Sequence, residues 1–178
     1  VDQMAEVGRY SFDNRISTIY LNGDQVLVLT QINDYGYIYG GSEFAVADLM
    51  IWPPFYRNAT TVVSQVDVSD PSAPRIAAEL NLDGSLVDSR LINGRLVVVL
   101  AIVPDAPENP SPAEVNELTL DELLPKARVA GSVSTMADWD AWLRPENPDG
   151  GNMSAVLAID ADDVTSVLSR VAIVGNAG

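Results

Sequence analysis

The chain has 178 residues, of which 47% are hydrophobic, enough for one domain with a substantial core. An excess of 25 acidic over 10 basic residues gives a formal net charge of -15, which disfavours nucleic acid and anionic lipid as partners. The sequence contains no cysteine and no histidine, which excludes thiolate nucleophiles, imidazole proton shuttles and Cys/His zinc sites. Any catalysis or ligand binding by side chains would therefore depend on carboxylate, hydroxyl and arginine groups.

The sequence shows neither a transmembrane segment nor a signal peptide. The longest apolar run, from Leu96 to Val103, ends at Pro104 and is far shorter than the roughly 20 residues that span a bilayer. The chain begins at Val1 and shows no basic segment ahead of an apolar stretch. We therefore expect no transmembrane segment, and a signal peptide that has been removed or lies outside this sequence.

The first internal repeat predicts two hairpins. Residues 15–29 contain Asn22-Gly23 between two apolar segments, and residues 86–100 repeat this pattern around Asn93-Gly94. Asn-Gly is the preferred two-residue hairpin loop, because a type I′ turn needs positive φ at both central positions. Each repeat is therefore expected to be a β-hairpin with Asn-Gly as its turn.

A second repeat extends each hairpin to four strands. Residues 62–70 and 155–163 are both apolar strands that run into an acidic turn, and each is followed by a further candidate strand. The sequence thus predicts a single β domain of two four-stranded antiparallel units. The first unit covers residues 15–84 with an excursion at 33–60, and the second covers 85–178 with an insertion at 104–152.

The insertion opens with prolines and continues with a helix signal. Four prolines between residues 104 and 112 favour extended surface chain. Thr119 followed by Glu122 matches a capping box, in which each residue binds a free backbone amide of the other, and Pro125 limits the length. A short helix is expected between Thr119 and Pro125.

The second half of the insertion predicts another short helix. Thr135 and Asp138 form a helix-start pattern ahead of Trp139, Trp142 and Leu143. The i, i+3, i+4 spacing of the last three residues would place them on one apolar face.

Residues 66–74 and 79–92 resemble the bacterial and archaeal secreted β-propeller-domain family, which is distantly related to WD40 repeats. Residues 120–125 are similar to that family's insertion within a blade. The resemblance implies an all-β fold of antiparallel four-stranded blade-like sheets, a partial β-propeller, with a short helical insertion. It also implies an extracytoplasmic location, often with a membrane tether. Propellers close with about four to eight blades, so the remaining blades or a second copy are expected partners.

Aromatic residues of the excursion and the insertion are candidate ligand-binding residues, because aromatic rings on loops offer large, rigid contact areas. They are Tyr35, Tyr37, Tyr39, Trp52, Tyr56, Trp139 and Trp142. The alternative is structural, with the excursion packing on a neighbouring blade and the two insertion tryptophans docking a helix on the propeller rim.

An acidic turn is the candidate metal site. Asp160, Asp162 and Asp163 could supply oxygen ligands to calcium, the one cofactor that the sequence suggests. Aspartates also begin turns by accepting backbone hydrogen bonds, and the sequence contains no EF-hand loop. No catalytic residue is predicted.

Three functions remain open. The leading hypothesis is a non-catalytic interaction module of an exported protein that binds protein or glycan through the excursion and the insertion. A carboxylate-dependent hydrolase of extracellular polysaccharide, with Asp138 and Asp140 beside the tryptophans, is the enzymatic alternative. A structural domain that self-associates through open sheet edges is the third.

Overall fold

The structure is a computed structural model that describes residues 5–32, 59–104, 111–117, 119–146 and 152–175. Within these residues, strands form two sheets, and every strand pair is antiparallel except one at the edge of the second sheet. The prediction of an all-β fold of blade-like antiparallel sheets is confirmed.

The first sheet has the strand order β1-β2-β3-β4-β7-β8. Its strands are β1 Arg15–Asn22, β2 Gln25–Ile32, β3 Thr60–Asp67, β4 Arg75–Asp83, β7 Lys126–Val129 and β8 Ser132–Thr135. Strands β1 to β4 run as an up-and-down meander. Strands β7 and β8 come from the insertion; β7 pairs with the free edge of β4, and β8 pairs with β7.

The second sheet has the strand order β5-β6-β10-β11-β9. Its strands are β5 Ser85–Ile92, β6 Arg95–Ile102, β10 Met153–Asp160, β11 Val167–Val174 and β9 Trp142–Leu143. Strands β5, β6, β10 and β11 repeat the meander of the first sheet. The two-residue strand β9 pairs in parallel with the outer edge of β11.

The two hairpins form as predicted, but their turns differ by one residue. In the second hairpin the loop is Asn93-Gly94, with φ of 49° and 72° as a type I′ turn requires. In the first hairpin Asn22 still pairs with Gln25, so the loop is Gly23-Asp24 and only Gly23 has positive φ. The expectation of an Asn-Gly turn is wrong there, because Asn22 is the last residue of β1.

The hydrophobic core lies between the two sheets. Alternate residues of β2, β3 and β4 face alternate residues of β6, β10 and β11, as expected for the two-residue period of strands. The fully buried aliphatic side chains include Leu27, Leu29, Val63, Leu80, Leu82, Leu96, Val98, Leu100, Leu157 and Ile159. Gly84 is the single residue between β4 and β5, so the chain passes directly from one sheet to the other.

The insertion is only partly as predicted. Helix α2 (Leu120–Leu123) carries the expected capping box, with the Thr119 amide donating to Glu122 Oε2 over 2.8 Å. An unpredicted helix, α1 (Pro112–Glu117), begins at a proline, which has no amide hydrogen to leave unpaired in the first turn. No helix of the described residues is long and apolar enough to cross a membrane.

The prediction of a helix after Thr135 is wrong. Thr135 ends β8, a single 3₁₀ turn covers Trp139–Ala141, and Trp142 and Leu143 form β9. In this strand Trp142 packs against the core while Leu143 is exposed, which is the alternation of a strand. The edge of β11 offers Trp142 and Leu143 backbone partners that a sequence pattern does not reveal.

Candidate binding site at the end of the two sheets

The excursion and the insertion leave the two sheets at the same end. The excursion begins after Ile32 of β2 and returns just before Thr60 of β3, and the insertion begins after Ile102 of β6. Ile32, Thr60 and Ile102 together line one cavity. The loops that the sequence singles out therefore share a common base, and this cavity is the candidate site.

The cavity has a volume of about 510 Å³. Its aliphatic wall comes from residues at or next to the strand ends, from the last residue of α2 and from the two residues that follow it. This wall contains Ile32, Ala59, Ile102, Val103, Pro104, Leu123, Leu124 and Pro125. A cavity in which an aliphatic wall faces polar side chains is compatible with a small-molecule or side-chain binding site.

An ion pair forms the polar wall. Asp83, at the end of β4, accepts hydrogen bonds from the Arg128 guanidinium through both carboxylate oxygens. It also accepts one from the Lys126 backbone amide over 2.7 Å. These bonds fix β7 against the end of β4. Asn81, two residues before Asp83 on β4, lines the same wall. Its side chain makes no hydrogen bond to another described residue.

The rim of the cavity carries one further charge of each sign. Lys126 extends its ammonium group to the carbonyl oxygen (2.6 Å) and to the carboxylate (2.7 Å) of Asp121, in the first turn of α2. Glu122 serves as the capping residue of α2, and hydrogen bonds from the Thr119 amide and hydroxyl lower the pKa of its carboxyl group. With Asp83 and Arg128, the lining has two acidic and two basic side chains and no net charge.

The arrangement favours binding over acid-base catalysis. A hydrolase of the two-carboxylate type needs one carboxylic acid whose pKa is raised so that it can donate a proton. Here Glu122 has a lowered pKa because its Oε2 accepts hydrogen bonds from the amide and hydroxyl of Thr119. Both oxygens of Asp83 accept hydrogen bonds from Arg128 or from the Lys126 amide. Neither carboxylate of the lining is arranged as a proton donor.

Most of the predicted aromatic site residues lie outside the described residues. These are Tyr35, Tyr37, Tyr39, Trp52 and Tyr56, together with the side chain of Trp139. Trp142 is described and half-buried, with its ring on the core and its Nε1 donating to the carbonyl of Ala137 over 3.4 Å. The ligand-binding role of this set stays a prediction, although the described contacts of Trp142 are those of a packing residue.

The predicted calcium ligands have hydrogen-bond partners in the β10–β11 turn. Asp160 Oδ1 accepts from the Asp162 amide (2.9 Å), and Asp163 Oδ1 accepts from the amide (3.0 Å) and hydroxyl (2.6 Å) of Thr165. Asp162 Oδ1 accepts from Asn22 Nδ2 over 2.9 Å. Within the described part of the chain, no three Asp or Glu residues are clustered closely enough to hold a metal ion. Calcium binding stays a prediction.

The sequence analysis did not predict the residues that line the cavity. The nearest signals were Asp83-Gly84 at a strand end and Lys126, the only lysine, after the predicted helix. Asp138 and Asp140, the carboxylates of the hydrolase hypothesis, are both exposed and are not among the lining residues.

The two meanders packed face to face define a repeat protein built from four-stranded antiparallel blades. A family model described as a β-propeller domain matches residues 1–178, and the chain therefore belongs to the β-propeller domain family. Comparisons with curated proteins and with solved structures found no match.

Proposed function

We propose that this chain is a non-catalytic interaction module of an exported protein, which binds a protein or a glycan at the end where the excursion and the insertion emerge. The observation that carries the proposal is the cavity of about 510 Å³ at their common base. Membership of the β-propeller domain family supports an interaction role, because the blades of such a fold form a rigid scaffold for loops.

The composition of the cavity supports a neutral, amphipathic ligand group. Its lining is aliphatic on one side and has a neutralised Asp83–Arg128 pair on the other, within a chain of net charge -15. An aliphatic side chain of a protein partner, or the apolar face of a sugar ring, would be compatible with both walls.

The test is a binding screen followed by a site variant. The fluorescently labelled chain is applied to an array that carries both peptides and oligosaccharides, and each positive is measured by calorimetry. Leu123→Arg places a charge in the aliphatic wall and is expected to weaken binding by at least about tenfold. The matched control is Leu168→Arg, on β11 at the opposite end of the sheets and already exposed, which should leave the affinity unchanged.

The same samples separate binding from hydrolysis. Each bound oligosaccharide is incubated with the chain and assayed for new reducing ends. Release of product that is lost in Asp138→Asn or Asp140→Asn would establish the hydrolase alternative instead. Binding that is equally strong in Leu123→Arg and in the control would show that the cavity is not the site. Detection of the protein only in the cytoplasm of its source cells would contradict export.

A further inference from the structure

The sequence contains two Asn-Gly pairs, and the fold places one at the first hairpin of each sheet. Asn22-Gly23 lies at the β1–β2 hairpin, and Asn93-Gly94 lies at the β5–β6 hairpin. Asparagine loses ammonia in water most readily when glycine follows it, because glycine has no Cβ atom to hinder approach to its backbone nitrogen. Each pair is therefore a candidate site of spontaneous covalent modification.

The reaction needs only the chain and water. The backbone nitrogen of the glycine gives its proton to solvent and attacks Cγ of the asparagine, which closes a five-membered succinimide ring. The Cγ–Nδ2 bond breaks, and the leaving nitrogen takes up one proton and departs as ammonia. Water then opens the ring at either carbonyl carbon. Cleavage of the new N–Cγ bond gives aspartate, and cleavage of the original peptide bond gives isoaspartate, so both products carry one additional carboxylate.

At the β5–β6 hairpin, no bond holds the reacting side chain in place. Asn93 and Gly94 are both exposed, and the Asn93 side chain makes no hydrogen bond to another described residue. The Gly94 amide donates none of the backbone hydrogen bonds in the described turns. The flanking pair of Ile92 and Arg95 is exposed as well, so this end of the hairpin can open with the loss of few contacts.

At the β1–β2 hairpin, the corresponding amide is held by the other sheet. Asn22 Nδ2 donates to the Ala161 carbonyl over 3.0 Å and to the Asp162 carboxylate over 2.9 Å. The strand partner of Asn22 is Gln25, whose side chain accepts a hydrogen bond from Gln65 of β3. The nitrogen that would have to leave is thus bonded in the native fold, and the reaction would first have to break these bonds.

The backbone anchors of the two loops are alike and do not account for this difference. In the first loop the Asp24 carbonyl accepts from the Val68 amide over 2.9 Å. In the second loop the Gly94 carbonyl accepts from the Ala161 amide over 3.0 Å. The two sites therefore differ in the bonds of the asparagine side chain and in the bonds of the strand pair beside it.

We propose that Asn93 is a site of spontaneous succinimide formation and hydrolysis in the folded protein, whereas Asn22 is protected by its bonds to the β10–β11 turn. The isoaspartyl product inserts one methylene group into the backbone of a two-residue loop whose φ values of 49° and 72° fit a type I′ turn. The modification thus converts a regular, uncharged turn into an altered turn with a negative charge at the surface.

Ageing of the folded chain at neutral and at mildly alkaline pH, followed by brief trypsin digestion and tandem mass spectrometry, tests the proposal. Cleavage after arginine places Asn93 in the peptide 91–95 and Asn22 in the peptide 16–57. Asn93 should lose its amide at least about tenfold faster than Asn22, since the two hydrogen bonds of Asn22 must break first. The rate should rise with pH, and products formed in heavy-oxygen water should carry the label.

Unfolding and one variant separate protection by the fold from local sequence. In urea the two sites should react at similar rates, because glycine follows each asparagine and no native bond remains. Asp162→Ala removes one bond to Asn22 and should speed the reaction there several-fold while leaving that at Asn93 unchanged. Circular dichroism verifies that the variant is folded.

Three results would overturn the proposal. The first is equal loss of ammonia from Asn93 and Asn22 in the folded chain. The second is an Asn93 amide that reacts only after unfolding, because the turn itself would then be protective. The third is a difference between the two sites that persists unchanged in urea, since local sequence and not the fold would then be its cause.

Discussion

Gly84 is a single-residue connection between two packed sheets, and its surroundings explain why it is glycine. Its φ of 119° is in a region that other residues rarely adopt. A Cβ atom at this position would lie 2.7 Å from Ile102 Cγ1 and 3.0 Å from the Ala101 carbonyl oxygen. The Gly84 amide donates to the Ala59 carbonyl (2.7 Å), and its own carbonyl accepts from the Thr61 hydroxyl (2.8 Å), so the backbone cannot easily move away.

Gly84→Ala should therefore lower the free energy of unfolding by about 2 to 4 kcal/mol, from combined backbone strain and overpacking. Gly23→Ala is the matched control, because Gly23 also has positive φ but has open space around its Cβ position. That change should cost only about 1 kcal/mol. Urea denaturation of both variants makes the comparison, and equal losses would mean that φ alone, without the contact with Ile102, requires glycine at position 84.

Exposed carboxylates at the turns contribute a pH-dependent part of the stability. Hydrogen bonds from Ser69 lower the pKa of Asp67, and hydrogen bonds from Ser72 lower the pKa of Asp70. A carboxyl group with a lowered folded-state pKa stabilises the fold above its unfolded-state pKa. This stabilisation disappears as the pH falls through the folded-state pKa.

Asp70→Ala should accordingly be less stable than the wild type at neutral pH, and the difference should vanish on acidification from about pH 6 to below about pH 3. Thermal unfolding of both proteins across this range measures the difference. Ser72→Ala, which removes the hydroxyl that donates to Asp70 over 2.7 Å, should show a weaker version of the same dependence. A difference that grows at low pH would contradict the assignment.

At the scale of elements, the insertion closes sheet edges rather than forming a separate unit. Strands β7 and β8 extend the first sheet although they lie between β6 and β10 of the second sheet in sequence. The hydrogen bonds of Asp83 with Arg128 and with the Lys126 amide connect β7 to β4. The β7–β8 hairpin, fixed to β4 in this way, covers the edge of β4 and so protects the central strands from unwanted pairing.

Asp83→Ala should loosen this β7–β8 hairpin and leave the second sheet intact. Amide hydrogen exchange in residues 126–135 should become about tenfold faster, because bonds to a charged carboxylate are lost. Exchange in β10 should not change. Glu6→Ala, which removes an exposed ion pair with Arg9 far from the hairpin, is the control and should have no effect on either region. Uniform acceleration in both sheets would indicate that the hairpin is needed for the whole fold.

At the scale of the whole molecule, a polar connection supplements the apolar core between the sheets. Gln65 of β3 donates through Nε2 to the Asp162 carbonyl (2.8 Å) and accepts at Oε1 from the Val164 amide (3.3 Å). Asn22 also donates to the Ala161 carbonyl, over 3.0 Å. The β10–β11 turn of the second sheet is thereby held against the first sheet, and its acidic residues take part in this contact.

Gln65→Leu should lower the free energy of unfolding by about 2 to 3 kcal/mol, because it leaves buried backbone groups of the turn without partners. Gln31→Leu, on neighbouring strand β2 and without a side-chain hydrogen bond to the described residues, should change stability much less. Unfolding followed by far-ultraviolet circular dichroism and by tryptophan fluorescence should remain a single coincident transition, since both sheets share one core. Separate transitions would show that the sheets fold independently.

Local patterns in the sequence were sufficient for the elements whose partners are near in the chain. The apolar runs at residues 26–29 and 97–100 beside an Asn-Gly pair indicated strands, and Asn93-Gly94 indicated a hairpin turn, because both depend on backbone preferences of adjacent residues. The Thr119 and Glu122 pair indicated the start of α2 for the same reason. The repeat then implied that the second sheet would have the same strand order as the first.

Features that depend on distant partners were decided only by the tertiary structure. Asn22 extends β1 by one residue and donates to the second sheet's turn, which shifts the first loop to Gly23-Asp24. Trp142 forms a strand because the edge of β11 and the core lie beside it. The candidate cavity unites residues from both sheets and from the insertion, so no local pattern could indicate it. Short-range backbone preferences depend on neighbouring residues, so the sequence determines them directly. Edge pairing, side-chain hydrogen bonds between the sheets, and the cavity depend on segments that meet only after folding.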